Sequence, residues 1–317
     1  MTSPRLALDE AAALTRRITL ASTAVAALLV AIKTGAWLQS GSVALLASAA
    51  DSGLDLLASL ITFFAVRYAA APPDAEHRFG HGKAEAFASL MQGGLVFASA
   101  ALVGREAVMG LIEPKPIAHG GWAMAVMLLS IALTGALIYA QGQVLKRTSS
   151  VAVAGDRAHY ASDLASNLAA LLGVAAAAFL GVHQMDALAG LAVTALLVWS
   201  AITVFREAAN QLMDRELPPQ DRARIVELVT LDAALTDVHQ LRTRAAGPYV
   251  HIQMHVDLDP GLSLQAAHAA VVAAEKRVLA EFPSADIIIH PDPRGAAEPH
   301  GGAFAETALG KRGLNEA

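Results

Sequence analysis

The stretch VALLASAADSGLDLLASLITFFAVRYAA, Val43–Ala70, decides what kind of molecule this is. It is long and apolar enough to cross roughly 30 Å of hydrocarbon, which takes about 20 helical residues at 1.5 Å each. Yet its first half carries two carboxylates, Asp51 and Asp55. Residues four apart lie about one turn apart, so both carboxylates share one helix face. A charged side chain at mid-bilayer costs several kcal/mol unless it is paired or hydrated, and such residues usually line a pathway. The plainer alternatives are a solvated helix end or a structural hydrogen-bond network.

Outward from this stretch, five more windows pass the same test, near Ile18–Leu38, Ala86–Leu111, Gly121–Leu145, Val151–Val182 and Met185–Phe205. The first does not read as a cleaved signal peptide, because it is long, has no clean small-residue cleavage site, and is followed after Ser40-Gly41-Ser42 by the next span. Composition agrees with a bilayer. Of 317 residues, 55% are hydrophobic and 16% charged, with mean hydropathy +0.47, against about 25% charged in soluble domains. Composition argues against a single soluble domain and excludes a disordered chain. The net charge of −5 gives no reason to expect a nucleic-acid partner. There is no cysteine, so disulfides, thiolate nucleophiles and Cys-based metal sites fall away together, and any metal must be held by His, Asp or Glu.

Lys and Arg concentrate on alternate connections. Arg5, Arg16 and Arg17 precede the first span, Arg67, Arg78 and Lys83 flank the second connection, and Lys146 and Arg147 the fourth. The intervening loops hold only Lys115, with none at Ser40–Ser42 or around His183. Basic loops stay cytoplasmic, so the reading is both termini inside.

Composition changes after about Asn210. Met213-Asp214-Arg215-Glu216-Leu217-Pro218-Pro219 reads as a hinge, Arg222–Leu231 as a helix, and Val238–Arg244 and Val250–Leu258 as strands joined by Gly247-Pro248. Ser263 caps a helix over Leu264–Glu281, and Asp286–His290 is a short last strand. The expected domains are a segment over 1–17, a six-helix membrane domain over 18–210, a small two-layer α+β domain over 211–293, and a flexible tail over 294–317.

Three groups of residues carry candidate chemistry. His159 and Asp163 repeat the four-residue spacing inside the fifth span. Facing Asp51 and Asp55, they would assemble three carboxylates and one imidazole. Three carboxylates alone repel one another, and a divalent cation such as Zn²⁺ resolves that. In the second connection, Asp74, His77 and His81 could fold around one metal, with Gly80 and Gly82 allowing a tight turn, although a solvated polar loop would look similar. In the last domain, His239, His255, His268, His290 and Asp292 come from separate elements, with His251 on the same strand parity as His255. Their convergence would suit zinc, although each His taken singly could be a surface or packing residue.

With these residues laid out, the chain resembles the cation diffusion facilitator family, in its bacterial zinc/ferrous-iron efflux branch. The resemblance spans Ile18 to Asp292 and rests on three stretches: Asp51-x-x-x-Asp55 paired with His159-x-x-x-Asp163, the loop His77-Arg78-Phe79-Gly80-His81-Gly82-Lys83-Ala84-Glu85, and Val238-His239-Gln240-Leu241-Arg242-Thr243-Arg244 followed by Gly247-Pro248. It implies a polytopic α-helical membrane protein of six transmembrane helices with a C-terminal cytoplasmic ferredoxin-like α+β domain. It further implies a homodimer in the bacterial inner membrane that exports Zn²⁺, with Fe²⁺, Cd²⁺ or Co²⁺ as further candidates, in exchange for protons. The transport site would be Asp51, Asp55, His159 and Asp163, the loop site Asp74, His77 and His81, and a binuclear cytoplasmic site His239, His255, His268, His290 and Asp292. Lys83 would pair with Asp214 in a dimer contact. Two departures stand out: Pro291 replaces a polar residue found in relatives, which weakens the second cytoplasmic ion, and the loop Lys146–Ser150 lacks the histidine-rich insert of vesicular relatives.

The ligand chemistry itself implies exchange, because His binds metal when neutral and Asp when ionised, so protons and metal compete. An intramembrane metalloenzyme is the first competing class, but no His-Glu-x-x-His segment and no nucleophile beside a base is present. A pH-indifferent metal channel or a membrane metal sensor is the second.

Overall fold

A computed structural model describes residues 8–40, 43–112, 121–180 and 184–296. The loops 41–42, 113–120 and 181–183, with Lys115 and His183, lie outside the described residues, as do Arg5 and the tail from 297 with His300. The chain forms two compact units that divide at Asp214.

The first unit is helical: α1 (Leu8–Ser40), α2 (Val43–Ala69), α3 (Ala84–Ile112), α4 (Gly121–Leu145), α5 (Val151–Leu180) and α6 (Gln184–Leu212). Among the described residues, α1, α2, α3, α4 and α6 are long and apolar enough by length and composition to cross a membrane. Helix α5 is 30 residues long, ample for a crossing, but its first half carries Asp156, Arg157, His159 and Asp163. Helix α1 begins ten residues before the apolar window at Ile18. Asp9 and Glu10 sit in its first turn, where carboxylates favour the positive end of the helix dipole. The hydroxyls of Thr15 and Thr19 donate back to the carbonyls of Ala11 and Thr15, which hides them within this polar extension.

Helix α3 packs along α6, and α5 lies against α3, α4 and α6. The α3–α6 approach depends on small residues, as is usual where apolar lipid gives helices no hydrophobic reason to associate. A Cβ added at Gly104 would meet Thr194 Cγ2 at 2.9 Å, and one at Gly190 would meet Ala107 Cβ at 2.9 Å.

The second unit follows the order α7 (Pro219–Thr230), β1 (Val238–Ala246), β2 (Tyr249–Leu258), α8 (Leu264–Glu281), β3 (Ala285–Pro293). The sheet order is β1-β2-β3, with β1 and β2 antiparallel and β2 and β3 parallel. Helix α7 starts at Pro219, three residues before the sequence-based start, because proline suits the first turn where its missing N–H costs nothing. Strand β3 extends past the expected His290 through Pro291 and Pro293, which an edge strand tolerates because one side needs no ladder donors. Gly247 turns the β1–β2 hairpin with φ +58°.

Along β2 the faces alternate. Ile252, Met254, Val256 and Leu258 are buried in a core with Ile225 and Val229 of α7 and Val271, Ala274 and Val278 of α8. The odd-numbered residues His251, Gln253, His255 and Asp257 therefore project from the opposite face. That face carries the histidine-rich site.

Candidate metal sites

Helices α2 and α5 bring Asp55, His159 and Asp163 together, with one ligand atom from each within 4.8 Å of the others. His159 Nε2 lies 3.1 Å from Asp55 Oδ1 and 3.8 Å from Asp163 Oδ2. Asp55 and His159 are buried, with 9% and 4% of their surface exposed. Asp163 Oδ2 is a buried acceptor with no hydrogen-bond partner among the described residues, and His159 Nδ1 is similarly unpartnered. An unpaired carboxylate oxygen aimed at an imidazole and a second carboxylate fits a cation, since it otherwise bears a desolvation cost with nothing in return. Asp51 stands one turn away on α2, more exposed and outside this triad, although within electrostatic range of Asp55 and His159.

One turn below His159, Asp156 is fully buried and anchors α5 to four other helices. Gln141 of α4 donates to its Oδ2 at 2.8 Å, while Gln92 of α3 and Ser59 of α2 each reach Oδ1 at 3.4 Å. Tyr160 joins through Ser59 at 2.7 Å and donates to the carbonyl of Ser22 in α1. This network was not singled out from the sequence, although the rule that flagged Asp163, an ionisable residue in a span, applies equally to Asp156. The start of α5 is fixed separately: Glu85, buried at the head of α3, accepts from Ser150 Oγ at 2.6 Å and from the backbone N–H groups of Val151 and Ala152. A carboxylate there satisfies otherwise orphaned helix donors.

In the loop between α2 and α3, Asp74, His77 and His81 also form a compact group within 4.8 Å. Asp74 Oδ1 is 3.3 Å from His77 Nδ1 and Oδ2 is 3.3 Å from His81 Nε2. The same Oδ1 accepts from the backbone N–H of His77 at 2.6 Å and of Glu76 at 2.9 Å, and the His77 backbone donor chiefly holds the Asp74 carboxyl below its usual range. An ionised aspartate is the form a metal needs. Gly80, at φ +78°, makes the turn that returns His81 to Asp74.

In the second unit, His239, His255 and Asp292 form the third compact group. Asp292 Oδ2 is 2.8 Å from His255 Nδ1 and 3.1 Å from His239 Nε2, and its Oδ1 is 3.2 Å from His290 Nε2. Burial pushes the Asp292 carboxyl up, but the hydrogen bond and charge of His255, with His239 and His290 behind them, outweigh it and hold the carboxyl below its usual range. A bulge between His239 and Arg242, with Gln240 at φ +51°, sets His239 directly opposite His255. Asp257 joins from β2, two residues beyond His255, with Oδ1 3.9 Å from His239 Nδ1, buried and without a hydrogen-bond partner among the described residues. Its signal in the sequence was the shared strand parity with His255. His268 is exposed on α8, the helix that covers the other face of the sheet, and stands outside the group. His251 pairs instead with Asp286 at 3.2 Å. Pro291 lies opposite Val256 in the β2–β3 register.

Lys83 Nζ donates to the carbonyl of Leu212 at 3.3 Å. Asp214, at φ +55°, is bridged at 3.0 Å by Arg244 of β1. The segment after Asp214 is sewn to the same strand, since Leu217 N–H donates to Thr243 Oγ1 and Glu216 accepts from Thr243 N–H, each at 3.0 Å.

Comparison with known proteins follows the division of the chain. A family model described as the cation efflux transmembrane domain matches residues 19–213, and one described as the cation efflux protein cytoplasmic domain matches residues 217–294. The chain is similar to the cation-efflux pump FieF of Citrobacter koseri, 38% identical over 92% of this chain and 97% of that protein. It is also similar to the FieF pumps of Yersinia enterocolitica, 39% identical over 89% and 94% of the two chains, and of Escherichia coli, 39% over 88% and 93%. A solved chain of CzrB in its Zn form aligns with 27% of this chain and 98% of its own length at 28% identity, with a TM-score of 0.25, too low to establish a shared fold.

Proposed function

This chain belongs to the cation efflux family, and from that premise we propose that it exports Zn²⁺ in exchange for protons through Asp55, His159 and Asp163, with Asp51 completing the ligand set. The protein is a multi-pass membrane transporter of divalent cations rather than a catalytic enzyme. The observation that carries the finer reading is the triad of one imidazole and two carboxylates between α2 and α5, with Asp55 and His159 buried, Asp163 half-buried, and ligand atoms within 4.8 Å. Nitrogen and oxygen donors in a small four-coordinate set suit Zn²⁺, with Fe²⁺, Cd²⁺ and Co²⁺ as weaker fits.

Exchange follows from the donors. The imidazole must be neutral and the carboxylates ionised to hold the metal, so a proton arriving at any of them lowers its affinity. Histidine changes charge close to physiological pH, which makes His159 the proton carrier. In this reading the site loads metal from the cytoplasm and releases it when it faces outward and takes up protons, as the helices holding it rock against a partner set. The cytoplasmic group at His239, His255, His290 and Asp292 acts as a metal-sensing clamp within a homodimer, with Asp74, His77 and His81 as an accessory loop site. The termini face the cytoplasm of a bacterial cell, and the protein resides in the inner membrane.

The test is zinc flux in proteoliposomes, with and without an opposing pH gradient, beside Asp55→Ala. Flux that grows with the proton gradient and vanishes in the variant supports the reading. Flux indifferent to pH makes the protein a channel or uniporter, and full flux from the variant removes the site assignment.

A further inference from the structure

Lys33 sits in the apolar span of α1 with 8% of its surface exposed, and its ammonium donates to Ser52 Oγ on α2 at 2.7 Å. Ser52 is fully buried and lies between Asp51 and Asp55 on the same helix. The lysine is within electrostatic range of both Asp51 and Asp163. A charged amine at this depth is expensive, and its long stem could otherwise carry the charge toward the nearer interface. It is instead tied by hydrogen bond to the helix that presents two carboxylates. The remaining charged group nearby, Asp156, is taken up by Gln141, Gln92 and Ser59.

We propose that Lys33 is the fixed counter-charge of the intramembrane site and sets its preference and release rate for divalent cations; this rests on the reading of Asp51, Asp55, His159 and Asp163 as the metal site. The three carboxylates supply three negative charges, the Lys33 ammonium returns one positive charge, and a neutral His159 adds none. The net charge of two negatives is closed by one divalent ion. Without the ammonium the occupied site would keep one uncompensated negative charge in a low-dielectric setting, where the metal would be held too tightly to leave. Lys33 touches no metal in this scheme. It acts through the charge it adds and through its hold on Ser52, so it is a positioning and specificity-determining residue.

The experiment is zinc titration of the full-length protein in detergent by calorimetry, with stopped-flow release into a chelator, for wild type, Lys33→Gln, Lys33→Arg and Asp55→Asn. The Asp55→Asn variant identifies which component of the isotherm belongs to the intramembrane site. In that component, Lys33→Gln is expected to bind zinc roughly tenfold tighter or more and to release it correspondingly slower, because a unit charge acts strongly on a divalent ion even through an effective dielectric of about 20. Lys33→Arg, which keeps the charge, should stay within about threefold of wild type. A residue needed only for packing would give weaker binding when replaced, so unchanged or weakened affinity in Lys33→Gln overturns the proposal. Should that variant fail to fold, Lys33→Met, whose thioether suits an apolar helix, is read by the same criteria. If Asp55→Asn leaves every component intact, the site reading itself is wrong and the proposal falls with it.

Discussion

His159 Nε2 and Asp55 Oδ1 meet at 3.1 Å across two helices, although the residues are separated by 104 positions in the chain. Asp163 approaches the same imidazole from the next turn of α5, at 3.8 Å. The contact is supported by two anchors that precede His159 along α5: Glu85 holds the first turn, and the Asp156 network holds the next against α1, α2, α3 and α4.

Replacing a ligand should therefore separate binding from folding. His159→Ala and Asp163→Asn are each expected to cut zinc flux at saturating metal by more than tenfold while the purified protein stays monodisperse. Flux in proteoliposomes alongside size-exclusion chromatography checks this, and near-normal flux from either variant contradicts the assignment.

Asp156→Ala should behave differently. It leaves one N–H of the buried Gln141 amide short of an acceptor, at about 1–3 kcal/mol, whereas Gln92 keeps the Ala58 carbonyl and Thr62 Oγ1. The expected result is a thermal midpoint lowered by several degrees, with flux lost in proportion to the displacement of His159. Asp156→Asn, which keeps an acceptor oxygen, should recover part of the stability. Thermal unfolding of the two variants in detergent decides it.

Glu85→Ala removes the acceptor for Ser150 and for the first backbone donors of α5. Loss of a helix-start acceptor of this kind typically costs about 0.5–2 kcal/mol, and its burial places this example toward the upper end. Glu85→Gln should cost less, since the amide oxygen still accepts.

In the cytoplasmic unit, Asp292→Asn should weaken metal binding more than Asp257→Asn, because Asp292 meets three imidazoles and Asp257 only one, at 3.9 Å. Both variants should leave the intramembrane component of a zinc titration unchanged. Equal effects of the two substitutions would mean that Asp257 is a primary ligand.

His251 yields a prediction about pH. Burial pushes its imidazole below the ordinary value, against the opposing pull of Asp286. The unfolded chain then takes up the proton first, near pH 6.5, while the folded domain resists it. His251 consequently favours the folded state above that pH and opposes it as pH falls. Denaturant unfolding should show His251→Phe losing less stability than wild type between about pH 7.5 and 5.5. An identical loss in the two proteins would remove His251 as the source.

Much of this was legible along the chain because the signals are local. Hydropathy windows marked the spans, and the four-residue spacing of Asp51 with Asp55 and His159 with Asp163 put each pair on one helix face. Strand parity placed His251 and His255 on one side of β2. The windows missed the polar first turns of α1 and the last turns of α6, because polar ends contribute little hydropathy while still making helical hydrogen bonds. Lys33, Asp156 and Asp257 were visible as residues but not as partners.

What the sequence determined by itself was periodicity: which segments are helices or strands, and which face of each carries charge. Tertiary structure decided distance. It put Asp55 rather than Asp51 in the triad with His159 and Asp163, turned His239 onto His255 through a bulge at Gln240, and left His268 on the far side of the sheet. The reason is physical. Backbone dihedrals repeat from residue to residue and leave a local pattern, whereas a metal-sized gap depends on how packed elements rotate and cross, which is fixed by small residues such as Gly104 and Gly190 and by buried polar anchors far away in sequence.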